Sequence, residues 1–134
     1  MASIFTKIIM GEIPCYKIAE NEECFAFLDI SPLTKGHTLI VPKKEVDVLF
    51  DLDTETYNAL WSFSHQVAKA IKSSFDCNRV GVVVMGLEVP HAHIHLMPIN
   101  TPNDMNFANQ KLSLPKEEMV QIANKIATEF NRNN

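Results

Sequence analysis

Between Pro90 and Pro98 the chain alternates histidine with apolar residues: His91-Ala92-His93-Ile94-His95-Leu96-Met97. This is the two-residue period of a β-strand, whose successive side chains point to opposite faces. On a helix, His91 and His93 would stand about 200° apart and the three imidazoles would be divided. A strand puts all three on one side and gives Ala92, Ile94 and Leu96 a buried opposite side. The run therefore predicts a strand over 91–97 in a sheet with two unlike faces. Three of the five histidines in 134 residues fall within these five positions. Buried imidazoles need hydrogen-bond partners, so the pattern reads as a site rather than as chance.

The remaining patterns supply a sheet for that strand and helices to cover it. Ser3 is a suitable N-cap for a short helix ending at Gly11. Tyr16–Ala19 and Cys24–Leu28 read as paired strands across a polar connection, and His37–Val41 as a third strand closed by Pro42. From Thr54 to Phe75, residues Tyr57, Leu60, Trp61, Ser64, Val67, Ala68, Ile71 and Phe75 form one helical stripe, with Asp53 or Thr54 as cap. His65 lies beside that stripe with nothing at helical spacing to complete a site, so it reads as an edge histidine. Arg79–Val84, rich in valine, is a fourth strand, and the histidine run is the fifth. Asn100–Leu112 is a polar loop; Pro115 opens a last helix with Met119, Ile122, Ala123, Ile126, Ala127 and Phe130 on one face, and Asn131–Asn134 should fray. The expected fold is a single α+β domain over residues 1–134, a five-stranded antiparallel sheet with helices packed on one face.

Composition narrows the partners. With 46% hydrophobic and 21% charged residues the chain is an ordinary globular one. A net charge of −4 argues against binding a nucleic acid polymer. The three cysteines, Cys15, Cys24 and Cys77, are odd in number and lack a Cys-x-x-Cys pair, so free thiols in a reducing compartment are expected. No signal-peptide pattern or membrane-length apolar run is present, so the expected compartment is the cytoplasm, without membrane contact.

Two chemistries suit a row of imidazoles. One is a metal site: the outer pair spans roughly 13 Å along a strand, too far for one ion to recruit all three rings, which leaves two of them with a distant carboxylate as the ligand set. The other is reaction at a phosphate. Neutral imidazole is a nucleophile at ordinary pH, and neighbouring rings can donate to phosphate oxygens or to a leaving group.

The run resembles the histidine triad of the HIT superfamily of nucleotide hydrolases and transferases. Three further segments resemble that family in its order: Phe5-Thr6-Lys7-Ile8-Ile9-Met10-Gly11-Glu12-Ile13-Pro14, Phe25-Ala26-Phe27-Leu28-Asp29-Ile30-Ser31-Pro32 and Gly36-His37-Thr38-Leu39-Ile40-Val41-Pro42-Lys43. Together they cover residues 3 to 98. The resemblance implies the HIT fold and four working histidines. His93 would be the nucleophile toward an α-phosphorus, His95 would assist the leaving group, His91 would order the array, and His37 would stand behind it. It further implies Asp29 at the ribose and Phe5, Ile9, Ile18, Phe25 and Ile30 around the base. Gly86 and Val89, in the turn before the triad, would lie near the phosphate. No metal and no cofactor is implied, and a homodimer is, with the long helix and an edge strand at its interface.

Two departures stand out. Many relatives carry Gly-Gln-Ser-Val before the triad, where this chain has Gly86-Leu87-Glu88-Val89. Leu87 cannot donate to phosphate, and Glu88 should point away from one. Some relatives hold a structural zinc ion at places that here read Ser3, Thr6 and Glu45, poor zinc ligands as a set. The leading expectation is a hydrolase of purine nucleotides that cleaves an adenosine 5'-phosphoramidate-type P–N bond through a nucleotidyl-histidine intermediate. A dinucleoside polyphosphate hydrolase and a nucleotide-binding regulator with weak catalysis are the alternatives.

Overall fold

The computed structural model describes residues 1–134. In chain order the elements are α1 (Ile4–Ile9), β1 (Lys17–Glu20), β2 (Cys24–Leu28), β3 (Thr38–Pro42), α2 (Thr54–Ser74), β4 (Arg79–Val83), β5 (Ile94–Ile99) and α3 (Lys116–Asn133). Two 3₁₀ turns, Leu49–Asp51 and Pro102–Met105, lie in the connections. The five strands form one antiparallel sheet in the order β1-β2-β3-β5-β4. An α+β fold with a five-stranded antiparallel sheet is thus what the chain adopts.

Alternation along the strands creates two different faces. Cys24, Ala26 and Leu28 of β2, Ile40 of β3, and Ile94 and Leu96 of β5 belong to the larger core, which α2 and α3 cover with Leu60, Phe63, Val67, Ile71, Met119, Ile122 and Ile126. The intervening residues Phe25, Phe27, Leu39 and Val41 turn the other way and form a smaller cluster with Phe5. Helix α1 therefore lies on the face opposite α2 and α3, a departure from the expectation that the helices share one face. Its six residues are too few to bury a full stripe, and Phe5 is its only buried side chain.

The long helix starts where expected, with the Asp53 carboxylate accepting from Thr56 N–H. Its buried arc is wider than the predicted stripe, because α3 covers a second side and buries Phe63 and Ala70. Phe63 meets Phe130 edge-on at 5.7 Å. Helix α3 runs on through Asn133 instead of fraying. An Arg132–Glu129 ion pair at 2.9 Å and the Asn134 amide on the Phe130 carbonyl at 2.7 Å support its last turn.

The histidine run needs the largest correction. The strand begins at Ile94, so of the three rings only His95 lies within it. The backbone before it is pulled out of the ladder by other acceptors: His91 N–H donates to the Val89 carbonyl at 2.8 Å and Ala92 N–H to the Val46 carbonyl at 2.7 Å. Such competition is invisible to a pattern of alternating side chains.

Gly36, just before His37, has φ +94°, and a Cβ there would come within 2.6 Å of the Phe75 ring. Both features demand glycine. Gly36→Ala is expected to lower unfolding stability by about 1–3 kcal/mol, read as a lower urea midpoint with an unchanged slope; an unchanged midpoint would show that the ring yields freely.

Candidate active site

Strand register decides which side chains meet. His95 stands opposite Leu39 of β3 and Val83 of β4, on the face of the small aromatic cluster. His37 enters at the head of β3, from the turn that Gly36 permits. The His37 and His95 rings lie 5.2 Å apart, His95 and His93 5.0 Å apart, and Phe5 stands edge-on to His93 at 5.0 Å and to His91 at 5.8 Å. Four imidazoles and an aromatic wall thus share one face, although three of the four rings come from outside the strands.

The protonation pattern follows from what each ring nitrogen faces. A backbone N–H only donates and a carbonyl only accepts. Leu33 N–H donates to His37 Nδ1 at 3.0 Å, so the His37 proton sits on Nε2. That proton is donated to His95 Nδ1 at 2.9 Å, which leaves the His95 proton on Nε2. His93 Nδ1–H donates to the His91 carbonyl at 2.8 Å, so His93 Nε2 carries a lone pair with no protein partner. His91 donates Nε2–H to the Pro42 carbonyl at 2.8 Å and accepts from Ser3 Oγ–H at Nδ1, 2.7 Å. The set places a bare nitrogen and an N–H donor on adjacent rings, a pairing suited to attack on phosphorus beside support for the group that leaves.

Burial separates the roles further. His91 and His37 are 0% and 1% exposed, whereas His93 and His95 retain 7% and 8%. Desolvation keeps His37, His91 and His95 below the ordinary imidazole range. For His95, burial first and then the charges of His37 and His93 push the pKa down to about 3. Beside His93 opens a cleft of about 290 Å³, walled by Leu49, Phe50, Trp61, Met85 and Gly86.

Asp29 is brought to the site. Its Oδ1 accepts from Ser31 N–H at 2.8 Å, an Asx turn, and its Oδ2 lies 3.6 Å from His37 Nε2. Phe25 joins the aromatic cluster, with Ile9 and Val89 packed against it. Ile18 does not: it is buried in the larger core on the helix side, because a register irregularity between Lys17 and Ala19 interrupts the alternation of β1. Ile30, next to Asp29, is 75% exposed at the surface. Gly86 takes φ +70° with open space around it, and both Leu87 and Glu88 point to solvent. His65 is exposed on α2 and remote from the chemistry.

Two aromatic residues escaped the sequence reading. Phe27 packs against Phe5 at 5.6 Å and Phe25 at 5.9 Å, and its phase within β2 was a usable signal. Phe107 comes from the polar segment after β5 and stands edge-on to His95 at 5.1 Å and to His37 at 6.1 Å. Nothing in that segment's pattern marks it. Asp29, His37 and His95 also bring potential metal-binding atoms within 4.8 Å of one another. The Leu33 bond opposes such use, since it keeps a proton on the nitrogen that an ion would need.

Fold and site define an α+β protein whose sheet presents tautomer-locked imidazoles beside an aromatic cluster. The chain belongs to the HIT domain family, whose model matches residues 10–101. It is 35% identical over 105 residues to adenosine 5'-monophosphoramidase of Schizosaccharomyces pombe, covering 78% of this chain and 77% of that one. It is 36% identical over 146 residues to an adenylylsulfatase of Arabidopsis thaliana, covering 88% and 74%. A Bartonella henselae HIT-like protein described as involved in cell-cycle regulation superposes with a TM-score of 0.82 at 32% identity, covering 95% of each chain.

The depressed histidines make stability depend on pH. An unfolded histidine titrates near 6.5, so below that pH the unfolded chain binds more protons than the folded one. Stability is therefore full above about pH 6.5 and falls as acid is added through the window down to the folded values. His95 alone should contribute a slope of about 1 kcal/mol per pH unit between pH 6 and 5, with His37 and His91 acting in the same direction. Urea titrations across that range check it; a flat profile would mean that these rings are not held neutral.

Proposed function

We propose that the chain is a nucleotide hydrolase that acts at the α-phosphate of purine nucleoside monophosphate derivatives and cleaves an adenosine 5'-phosphoramidate-type P–N bond. The observation that carries this reading is the bond from His93 Nδ1–H to the His91 carbonyl, which leaves Nε2 unprotonated. Relatives named adenosine 5'-monophosphoramidase and adenylylsulfatase support it.

In the first step His93 Nε2 attacks phosphorus and the bond to the leaving nitrogen breaks. The departing nitrogen accepts a hydrogen bond from His95 Nε2–H and takes the proton it needs from solvent, so His95 stays neutral. In the second step water attacks the same phosphorus, the bond to His93 Nε2 breaks, the nucleoside monophosphate is released, and a proton returns to solvent. His37 fixes which His95 nitrogen carries the proton. Asp29 has lone pairs left for ribose hydroxyls after its bond to Ser31 N–H. Phe5, Phe25 and Phe27 give the base an apolar wall, with Ile9 behind them. No side chain at Leu87 donates to phosphate, so backbone N–H groups of the turn at Gly86 serve the oxyanion.

His93→Ala should lower turnover of adenosine 5'-phosphoramidate by about a thousandfold or more while AMP affinity stays close to that of the parent protein. Assayed beside a diadenosine polyphosphate, with chelator present, the phosphoramidate should be the better substrate. Full activity in the variant would remove His93 from its role, and preference for the polyphosphate would reassign the substrate class.

The functional unit is proposed to be a homodimer joined through α2 and the free edge of β4. Supporting this, Phe50 is 79% exposed and Val82 48% exposed on that side, and the Trp61 indole N–H is buried with no acceptor. Sedimentation should give twice the chain mass, and Val82→Glu combined with Phe50→Glu should return it to a single chain. A parent protein that sediments as one chain at micromolar concentration would refute the pairing.

A further inference from the structure

We infer that Glu45 is a positioning residue, holding α1 and His91 in place so that His93 is aimed; this rests on the hydrolase reading above. The place expected to lack zinc ligands is filled by a hydrogen-bonded cluster instead. Glu45 Oε1 accepts from Ser3 N–H at 2.8 Å and from Thr6 Oγ1–H at 2.5 Å. Ser3 Oγ accepts from Thr6 N–H at 3.0 Å and donates to His91 Nδ1 at 2.7 Å. A carboxylate, two hydroxyls and one imidazole thus form a continuous chain from the loop after β3 to the triad.

The chain of contacts has a local logic. In a capping box, the third helical residue reaches back to the N–H of the cap residue. In α1 that residue is Thr6, which caps nothing in this way, and the first turn contains no acid. Glu45 supplies the missing acceptor from 42 residues away. The same loop is tied to the triad twice more, by His91 Nε2–H on the Pro42 carbonyl and Ala92 N–H on the Val46 carbonyl. One segment therefore grips both α1, which brings Phe5 against His93, and the His91 backbone, which holds the His93 proton. Removing the carboxylate frees Ser3 and Thr6, and with them the hydroxyl that donates to His91 Nδ1, while the Pro42 carbonyl still holds the His91 proton on Nε2.

The test compares Glu45→Ala, Glu45→Gln and Thr6→Val with the parent protein. The readouts are kcat and KM for adenosine 5'-phosphoramidate and ¹⁵N imidazole spectra. Glu45→Ala should lower kcat/KM about tenfold, the worth of one lost net hydrogen bond. Its His91 Nδ1 resonance should move toward that of a nitrogen with no donor, while Nε2–H stays on the Pro42 carbonyl. A glutamine amide oxygen can accept both donors, so Glu45→Gln should recover most of the rate and the parent Nδ1 resonance. Thr6→Val, which leaves the Ser3 cap intact, should fall between them. Parent-like kcat/KM in Glu45→Ala, equal damage in Glu45→Gln, or a lost rate with an unchanged His91 Nδ1 resonance would each overturn the inference. Should Glu45→Ala fail to fold, Thr6→Val decides alone, and a parent-like rate and Nδ1 resonance there would overturn it. Failure of the parent protein to turn over the phosphoramidate would instead sink the hydrolase reading. The His91 spectra would then still judge the role of Glu45.

Discussion

The site depends on a single asymmetry of the peptide group: N–H donates and C=O accepts, and neither exchanges roles. Leu33 N–H on His37 Nδ1 and the His91 carbonyl on His93 Nδ1 are fixed by the backbone. Every proton position in the imidazole row follows from these bonds, with the Pro42 carbonyl doing the same for His91. Imidazole is a useful catalyst because its two nitrogens can differ, and a useless one when the tautomer wanders. Here the backbone chooses.

That choice needs a sheet with two unlike faces. The helix side is a conventional apolar core. The opposite side carries aromatic and imidazole rings in edge-to-face contact, from Phe25 and Phe27 through Phe5 to His93 and His95. Edge-to-face geometry suits both ring types and fills space without adding charge. Desolvation by these neighbours keeps His37, His91 and His95 neutral, the form in which one nitrogen still accepts. Packing and chemistry are therefore the same feature seen at two scales.

Much of this was legible in the residues. The strand pattern at Cys24–Leu28 and the helical stripe from Tyr57 to Phe75 led to the right elements, and the histidine run located the site. The losses have physical causes. Ile18 packs in the helix-side core because β1 breaks its register there, and no residue pattern encodes a bulge of that kind. His91 and His93 left the strand because Val46 and Val89 carbonyls outcompete the ladder. Phe107 was overlooked because it sits in a segment with no period at all, and only the path of the chain after β5 brings it to His95.

Period and residue type by themselves determined the fold class, the two-faced sheet and the grouping of His91, His93 and His95, since burial follows periodicity along the chain; His37 joined them through the family resemblance. Only the tertiary structure decided which nitrogen of each ring holds a proton, that α1 lies across the sheet from the other helices, and that Glu45 closes a cap opened 42 residues earlier. Those are matters of directional bonds between distant segments. A hydrogen bond requires two groups to meet within about 3 Å at the right angle, and linear order carries no such distance.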